Sequence, residues 1–500
     1  MKFTRREFVA LAGAAGMAAL AKADTPKSAP VFTPDLESLA KYKTPDWFRD
    51  AKLGMWACWG PEAVPEMGDW YARNMYVQGH EQYEHHLKTY GHPSKMGYKD
   101  IVPLWKGENW DPDRLMGLYK KAGAKYFCAI AQHHDNIDCW NSKHHTWNSV
   151  NMGPRKDIIG TWRSAARKHG LRFGVTEHLG ASWNWYGIAK SADKTGPMAG
   201  VPYDGANPAY DDLYHTGNAN SDWRAWYRNA PETFQIEWFN RIQDLVDSYQ
   251  PDLLYSDGSL PFGKYGRELL AHFYNTNAQR NGKLEAVYNC KKGDDGGQFA
   301  DGFCVRDMER GVFDVIRPDP WQTDTCVGDW YYKRDIVYKT PTTVIQMLID
   351  IVSKNGNLLL NFPLRADGTL DAKEEKILES LGEWMAVNGE AIYGTRPWKV
   401  CGEGQKGPEG AMFNEGKLSY TAEDLRFTVK GSALFAFALA WPASGKLLIR
   451  SLAGTSVHSV NLLDGGDSLK FNQTAEGLAV QLPPQQRGDH AFALRIQGAV

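Results

Sequence analysis

The sequence predicts an α/β protein: a (β/α)8-type, TIM-like barrel over residues 24–394, followed by a C-terminal antiparallel β-sandwich over 395–500. Three observations lead there. From about residue 45 to 390, short unbroken apolar runs alternate with amphipathic ones. Polar residues stand where the apolar runs end. Past Tyr393 the helical periodicity disappears and short β-rich runs replace it.

The strands expected in the barrel are Leu53–Trp59, Lys125–Ala131, Leu171–Thr176, Asp252–Ser256, Leu284–Asn289 and Asn357–Phe362, with two more near Val305 and Trp321. Helical patterns lie between them at Asp111–Lys121, Thr233–Tyr249 and Asp371–Val387. In the second, Phe234, Trp238, Ile242, Leu245, Val246 and Tyr249 fall on one stripe. Continuous apolar strands separated by helices imply a parallel sheet covered on both faces. A long segment, Gly180–Glu232, is rich in Trp, Tyr, Asn and Gly. Its aromatics (Trp183, Trp185, Tyr186, Trp223, Trp226) argue against disorder and for the wall of a cleft. The sandwich is expected from Leu425–Val429, Leu434–Ala438, Lys446–Arg450, Leu478–Leu482 and Ala491–Ile496.

Composition narrows the function. The formal charge is −2 and no block of like charges stands out, so neither nucleic acid nor an anionic membrane is an expected partner. Residues 1–23 read as a signal: Arg5-Arg6 precedes the weakly apolar run Val9–Leu20, and Ala21-Lys22-Ala23 matches a small-x-small cleavage site. A twin arginine before such a run resembles a Tat export signal, and the run is too short for a comfortable membrane span. The expected location is therefore periplasmic or secreted. Seven cysteines occur with no C-x-x-C; an odd number cannot all pair within one chain, and the pair Cys128–Cys139 is left open. Most of the nineteen tryptophans are expected in the core and a minority at sugar-stacking positions.

The ends of the expected strands carry Cys58-Trp59-Gly60, Gln132-His133-His134-Asp135, Glu177-His178, Asp257-Gly258, Asn289 and Asn361. Barrel enzymes build their sites at these C-terminal ends, so six polar ends in a row point to one shared pocket. Consecutive residues of a strand face opposite ways, and no H-x-x-x-H spacing occurs; His133-His134 is therefore not expected to chelate a metal, and no cofactor is expected.

Several of these stretches resemble glycoside hydrolase family 29, the α-L-fucosidase family. Trp47-Phe48-Arg49-Asp50-Ala51-Lys52-Leu53-Gly54 with Trp59-Gly60-Pro61 is similar to its opening strand, and Asp69-Trp70-Tyr71 to its acidic-Trp-Tyr element. Ala122-Gly123-Ala124-Lys125-Tyr126 followed by His133-His134-Asp135 resembles its most specific signature. Pro251–Gly258 resembles the nucleophile strand, and Gly356–Asn361 and Asn388–Tyr393 its closing segments. The resemblance implies a retaining exo-glycosidase acting on a fucosylated glycan or oligosaccharide, with Asp257 as nucleophile. It implies His133 and His134 on the ring hydroxyls, and Asp69 and Trp70 lining the pocket. The acid/base is implied to be a later carboxyl: Glu309, in Asp307-Met308-Glu309-Arg310-Gly311, with Asp324 as the alternative. Double displacement needs such a pair, one ionised and one protonated, roughly 5–5.5 Å apart.

Departures from the family pattern bear on the sugar. Cys58 stands where the family has His, Thr176-Glu177-His178 replaces a Tyr-rich strand end, Tyr255 stands for a Trp, and Asn289-Cys290-Lys291 replaces an Asn-x-Arg element. Cys58, Glu177 and Tyr255 are accordingly expected around a remodelled glycone pocket. The alternatives are the same mechanism on another α-L-glycoside, such as an α-L-galactoside, or a glycan-binding protein without catalysis. Oligomeric state is left open.

Overall fold

The computed structural model describes residues 31–217, 221–405, 412–417 and 419–500; the expected signal segment lies outside them. Eight parallel strands close into a barrel in chain order: β1 Leu53–Ala57, β2 Tyr126–Gln132, β3 Arg172–Glu177, β4 Leu253–Ser256, β5 Val287–Lys291, β6 Val305–Asp307, β7 Trp321–Cys326 and β8 Gly356–Asn361. Closure is made by β1, which pairs Gly54 with Tyr126 on one side and Trp56 with Asn361 on the other. Every residue of β1, β2, β4, β5, β7 and β8 is buried, which is why β1, β2 and β4 read as largely apolar runs rather than alternating ones, whereas β5 and β7 bury polar residues as well. Gly54 leaves room for the Tyr126 ring; a Cβ there would lie 2.2 Å from it.

The longer helices are α1 Pro112–Lys121, α2 Ile158–Lys168, α3 Glu232–Tyr249, α4 Lys264–Asn281, α5 Pro341–Ser353 and α6 Ala372–Asn388. The expected starts at Asp111 and Asp371 fall one residue early because both aspartates are N-caps, accepting from the Arg114 and Lys373 amides respectively. The apolar stripe of α3 is buried along its whole length. The ring of helices is incomplete: β5, β6 and β7 follow one another through loops.

Two segments differ from expectation. Strand β5 begins at Val287 rather than Leu284, where the Val287 amide first reaches Asp252 O, so Lys291 and not Asn289 ends it. The segment 180–232 is not an open loop. It folds into short helical turns, including Ser182–Trp185 and Asp211–Tyr214, that share a small aromatic core with Tyr71, Tyr76, Tyr83 and Tyr98. Buried carboxylates stitch that core: Asp193 accepts from Tyr83 and Tyr203, and Asp204 from Tyr76 and Tyr214.

The C-terminal part holds β9 Arg396–Glu403, β10 Leu425–Lys430, β11 Ala433–Ala438, β12 Lys446–Ile449, β13 Ser459–Leu462, β14 Lys470–Thr474, β15 Gly477–Gln481 and β16 Phe492–Gln497. They form a five-stranded sheet, β13-β16-β11-β10-β9, and a three-stranded sheet, β12-β15-β14, around one apolar core. The sequence reading missed β9 and β14 because neither buries a regular alternating face, and the short β13 with them.

The sandwich is clamped to the barrel through α5. Asp350, fully buried, accepts from Arg426 Nε of β10 at 2.5 Å and from Lys354 Nζ at 2.7 Å. Burial opposes ionisation of this carboxyl, but Lys354 and Arg426 outweigh it and hold its pKa below the ordinary value. Beside it Trp384 Nε1 donates to Ala491 O at 2.6 Å and Gln346 Nε2 to Leu439 O at 2.8 Å. Asp350→Ala strands two buried cations and should destabilise the protein by about 3–5 kcal/mol. Removing Asp113, whose half-exposed carboxylate pairs with Lys168 and His169, should leave stability nearly unchanged. Denaturant unfolding of both variants measures the contrast.

Candidate active site

A cavity of about 490 Å³ opens where the barrel strands end. Seven successive strands deliver wall residues: Trp56 in β1 and Cys58 just after it, His133 and His134 after β2, His178 after β3, Asp257 after β4, Lys291 at the end of β5, Glu309 after β6 and Asp324 within β7. Asp69, Trp70, Trp223, Trp226 and Trp330 complete much of the rim.

Lys291 sits at the centre. Its ammonium donates to Asp257 Oδ1 and, at 2.5 Å, to Glu309 Oε2. One ammonium thus bridges the two carboxyls and holds them as close neighbours, as a retaining pair must be. On its other side Asp257 Oδ2 lies 3.4 Å from His134 Nε2 and 3.5 Å from His178 Nδ1. The backbone is held as well. The Asp257 amide donates to Glu177 O at 3.0 Å, Tyr227 Oη donates to Asp257 O, and the Lys291 amide donates to Gly258 O at 2.7 Å. Gly258 turns the chain at φ +102°, and a Cβ there would lie 2.5 Å from Tyr227 Oη and 2.7 Å from Trp226 Nε1.

The two carboxyls are driven apart in protonation. Burial disfavours the charge on Asp257, but Lys291, His178 and His134 outweigh it and hold the group well below the ordinary aspartate value. Burial pushes Glu309 up to about 7; Asp324 and Asp257 push the same way, and Lys291 only partly opposes them. Asp324 is raised well above the usual range by burial and by Asp307. Burial also pushes His133 down to about 4 and lowers His134 and His178, so the three imidazoles are neutral at pH 7.

His133 is aimed by a residue that sequence reasoning missed. Its Nδ1 lies 2.6 Å from Oε1 of the buried Glu62, and its Nε2 3.6 Å from Asp69 Oδ1. The two consecutive histidines were expected to diverge. Strand β2 stops at Gln132, however, and beyond it both rings turn into the cavity, 4.5 Å apart. With His178 they bring ring nitrogens within 4.8 Å of one another.

Of the expected site residues, Asp257, Glu309, His133, His134, Asp69, Trp70 and Cys58 all line this one cavity, as does Asp324. Glu177 and Tyr255 do not, and their assignment to the sugar is corrected here. Glu177 faces outward and accepts from Trp238 Nε1 of α3 at 3.1 Å, while the next residue, His178, faces in. Tyr255 lies fully buried beneath the cavity, donates to Asp324 Oδ2 at 3.1 Å and packs its ring against Trp56 and His178, so it supports the site from behind its lining residues. Trp330 lines the cavity but Trp321 does not; its indole donates to Lys354 O at 2.9 Å. Trp223 and Trp226 supply the expected aromatic wall, whereas Trp185 and Tyr186 are core. The missed residues are Lys291, His178, Trp56, Glu62 and the pair Met412 and Phe413. Strand alternation could have found His178, and the lone cation at the end of the fifth strand could have found Lys291. All seven cysteines are unbridged, Cys128 and Cys139 among them.

A closed parallel barrel whose strand ends hold one ionised and one protonated carboxyl on a single ammonium has the architecture of a retaining glycoside hydrolase. A family model described as alpha-L-fucosidase matches residues 19–390, and one described as alpha-L-fucosidase C-terminal domain matches residues 419–497. Tissue alpha-L-fucosidase of Macaca fascicularis is 29% identical over 483 residues, covering 93% of this chain and 92% of that protein. The human tissue alpha-L-fucosidase is 28% identical over 483 residues, with the same coverage. The crystal structure of Thermotoga maritima alpha-fucosidase in complex with fucose is 26% identical, with a TM-score of 0.72 over 93% of this chain and 99% of that one. The chain belongs to the alpha-L-fucosidase family.

Lys291 lowers the pKa of both carboxyls it touches. In Lys291→Met each should therefore hold its proton to higher pH. Both limbs of the pH profile of kcat/KM for glycoside hydrolysis should move upward together. A profile with unmoved limbs would remove Lys291 from the control of this pair.

Proposed function

We propose that the protein is an exported exo-acting α-L-fucosidase that releases terminal α-L-fucosyl residues from glycans with retention of configuration. The observation that carries this reading is the pair Asp257 and Glu309 on one ammonium, the first kept ionised and the second kept protonated to about pH 7. Asp257 attacks the anomeric carbon while Glu309 gives its proton to the departing glycosidic oxygen. A covalent glycosyl-enzyme and a free leaving group result. Glu309, now a carboxylate, takes a proton from water; the water oxygen attacks the same carbon, and the bond to Asp257 breaks. The net stereochemistry is retained because two inversions occur.

Glu309 is favoured over Asp324 as the acid/base because it shares Lys291 with Asp257, whereas Asp324 is committed to Tyr255 and Asp307. The neutral imidazoles of His133, His134 and His178 suit sugar hydroxyls, since each can donate from one nitrogen and accept at the other. Asp69 and the Cys58 thiol join them, and Trp56, Trp70 and Trp330 offer faces for C–H groups. A second reading, the same mechanism on another α-L-glycoside such as an α-L-galactoside, is favoured by one observation: Cys58, smaller than the family's His, faces the cavity. A binding protein without catalysis would not need two carboxyls of opposed protonation. For location, Arg5-Arg6 and the apolar run after them support Tat export to the periplasm or beyond. Among the described residues no helix is long and apolar enough to cross a membrane. Export should fail in Arg5→Lys/Arg6→Lys, with the protein found in the cytoplasmic fraction of a bacterial host.

Activity should be sought on a panel of aryl α-L- and β-D-glycosides with the chain 24–500. Release from the α-L-fucoside should dominate, and Asp257→Ala should lower kcat by at least about 10³, roughly 4 kcal/mol of transition-state stabilisation. Added azide should then return the inverted glycosyl azide from Asp257→Ala and the retained one from Glu309→Ala. Near-normal turnover of Asp257→Ala would exclude it as the nucleophile. The sign of the pH dependence follows from the two shifts. Glu309 loses its proton near pH 7, so activity falls above that; Asp257 stays ionised below the ordinary aspartate range, so activity persists into mild acid.

A further inference from the structure

Between β9 and β10 in the sequence, residues 412–415 lie at the barrel rim, along the loop that carries Glu309. The Phe413 amide donates to Glu309 O at 2.9 Å and the Glu415 amide to Arg310 O at 3.0 Å. Asn414 closes a second pair with Val312, its Oδ1 accepting from the amide at 3.0 Å and its Nδ2 donating to the carbonyl at 3.3 Å. The Glu415 carboxylate accepts from Arg310 Nε at 2.9 Å, Thr325 Oγ1 at 2.6 Å and Lys339 Nζ at 2.9 Å. This strap is therefore riveted to the barrel by both backbone and side chains.

What it presents is unusual. Phe413 sits at φ +59°, in the left-handed region that a bulky side chain rarely adopts, and its side chain stays 61% exposed while lining the cavity. Met412, 37% exposed, lines the cavity beside it. A strained backbone that holds an apolar side chain out in water, at a cavity mouth, points to a ligand that covers it. Its position says which part of the ligand. Phe413 hangs from the backbone of Glu309, and in a retaining glycosidase the acid stands next to the leaving-group oxygen.

We propose that Met412 and Phe413 form the leaving-group subsite: the second domain supplies the platform on which the apolar face of a pyranose or aryl aglycone rests while Glu309 protonates the bond between the two sugars. The barrel alone holds the glycone; the strap selects what the glycone is attached to. This rests on the reading of the protein as a retaining α-L-fucosidase with Glu309 as acid.

The test uses two substrates and the full chain. α-L-Fucosyl fluoride has a one-atom leaving group that needs neither a proton nor a platform. An α-L-fucosylated disaccharide needs both. Phe413→Gly is the informative variant, since glycine accepts the positive φ and keeps the strap's backbone while losing the ring. It should hydrolyse the fluoride within about two-fold of the parent kcat/KM and lose at least about ten-fold on the disaccharide, with Phe413→Tyr restoring most of the loss. Equal loss on both substrates, or no loss on either, would overturn the subsite. A parent protein inactive on the fluoride would instead overturn the fucosidase reading, so the two failures are told apart.

Discussion

Lys291 holds its ammonium between two carboxyls that burial alone would drive toward the protonated form. Among the described residues it is the one Lys or Arg on the cavity wall, and the imidazoles around it are neutral. The site therefore has room for one balanced negative charge, and geometry decides where it falls. Asp257 takes it, because His134 and His178 flank its second oxygen, while Glu309 has the cation opposed by burial and by its neighbours Asp324 and Asp257. The same arrangement serves both halves of a double displacement. In the proposed mechanism Asp257 is esterified and its charge is gone, and with it one of the influences that raise Glu309. Lys291 remains, so the Glu309 carboxylate left by proton donation inherits the cation. The charge moves from one oxygen pair to the other while the ammonium stays put, and no uncompensated charge is buried at either stage.

That placement depends on where strands stop. Asp257 follows β4, which ends at Ser256; Lys291 ends β5; Glu309 lies two residues past the three-residue β6. A barrel closed by Gly54 against Tyr126 brings those three ends onto one rim without a helix between β5 and β6 or between β6 and β7. Asp257 stands one residue past β4 and Glu309 two past β6, so both carboxyls stay close to rigid strand ends.

This hierarchy explains what the sequence made legible. Strands buried on both faces announce themselves as unbroken apolar runs, and Asp257-Gly258 stands at the end of one of them. The barrel and the nucleophile candidate could therefore be read directly. The inward or outward sense of a strand's last residues could not, because a shift of one position exchanges the faces. Glu177 was taken for a pocket residue and His178 passed over for that reason, and β5 read as ending at Asn289 hid Lys291. Tyr255 has the right strand but points below the floor, to Asp324. Glu62 and Phe413 escaped for a different reason: each meets the site across a distance in sequence that no local pattern encodes.

Phe413 also changes what the sandwich is for. A domain that merely braced the barrel would need only the apolar and ionic contacts around α5, where Asp350 joins Arg426 to Lys354. The strap goes further, because Glu415 is the shared acceptor for Arg310 on the Glu309 loop, Thr325 on β7 and Lys339 before α5. Burial opposes charge on Glu415, yet Lys339 and these donors hold its pKa below the ordinary value, so the anchor persists through the pH range in which Glu309 titrates. The loop carrying the acid is thus positioned from the far domain by a charge that does not change while the acid's own charge does. Movement of the sandwich relative to the barrel would displace the Glu309 backbone directly, which makes the clamp at Asp350 part of the geometry of the proposed proton donor as well as of stability.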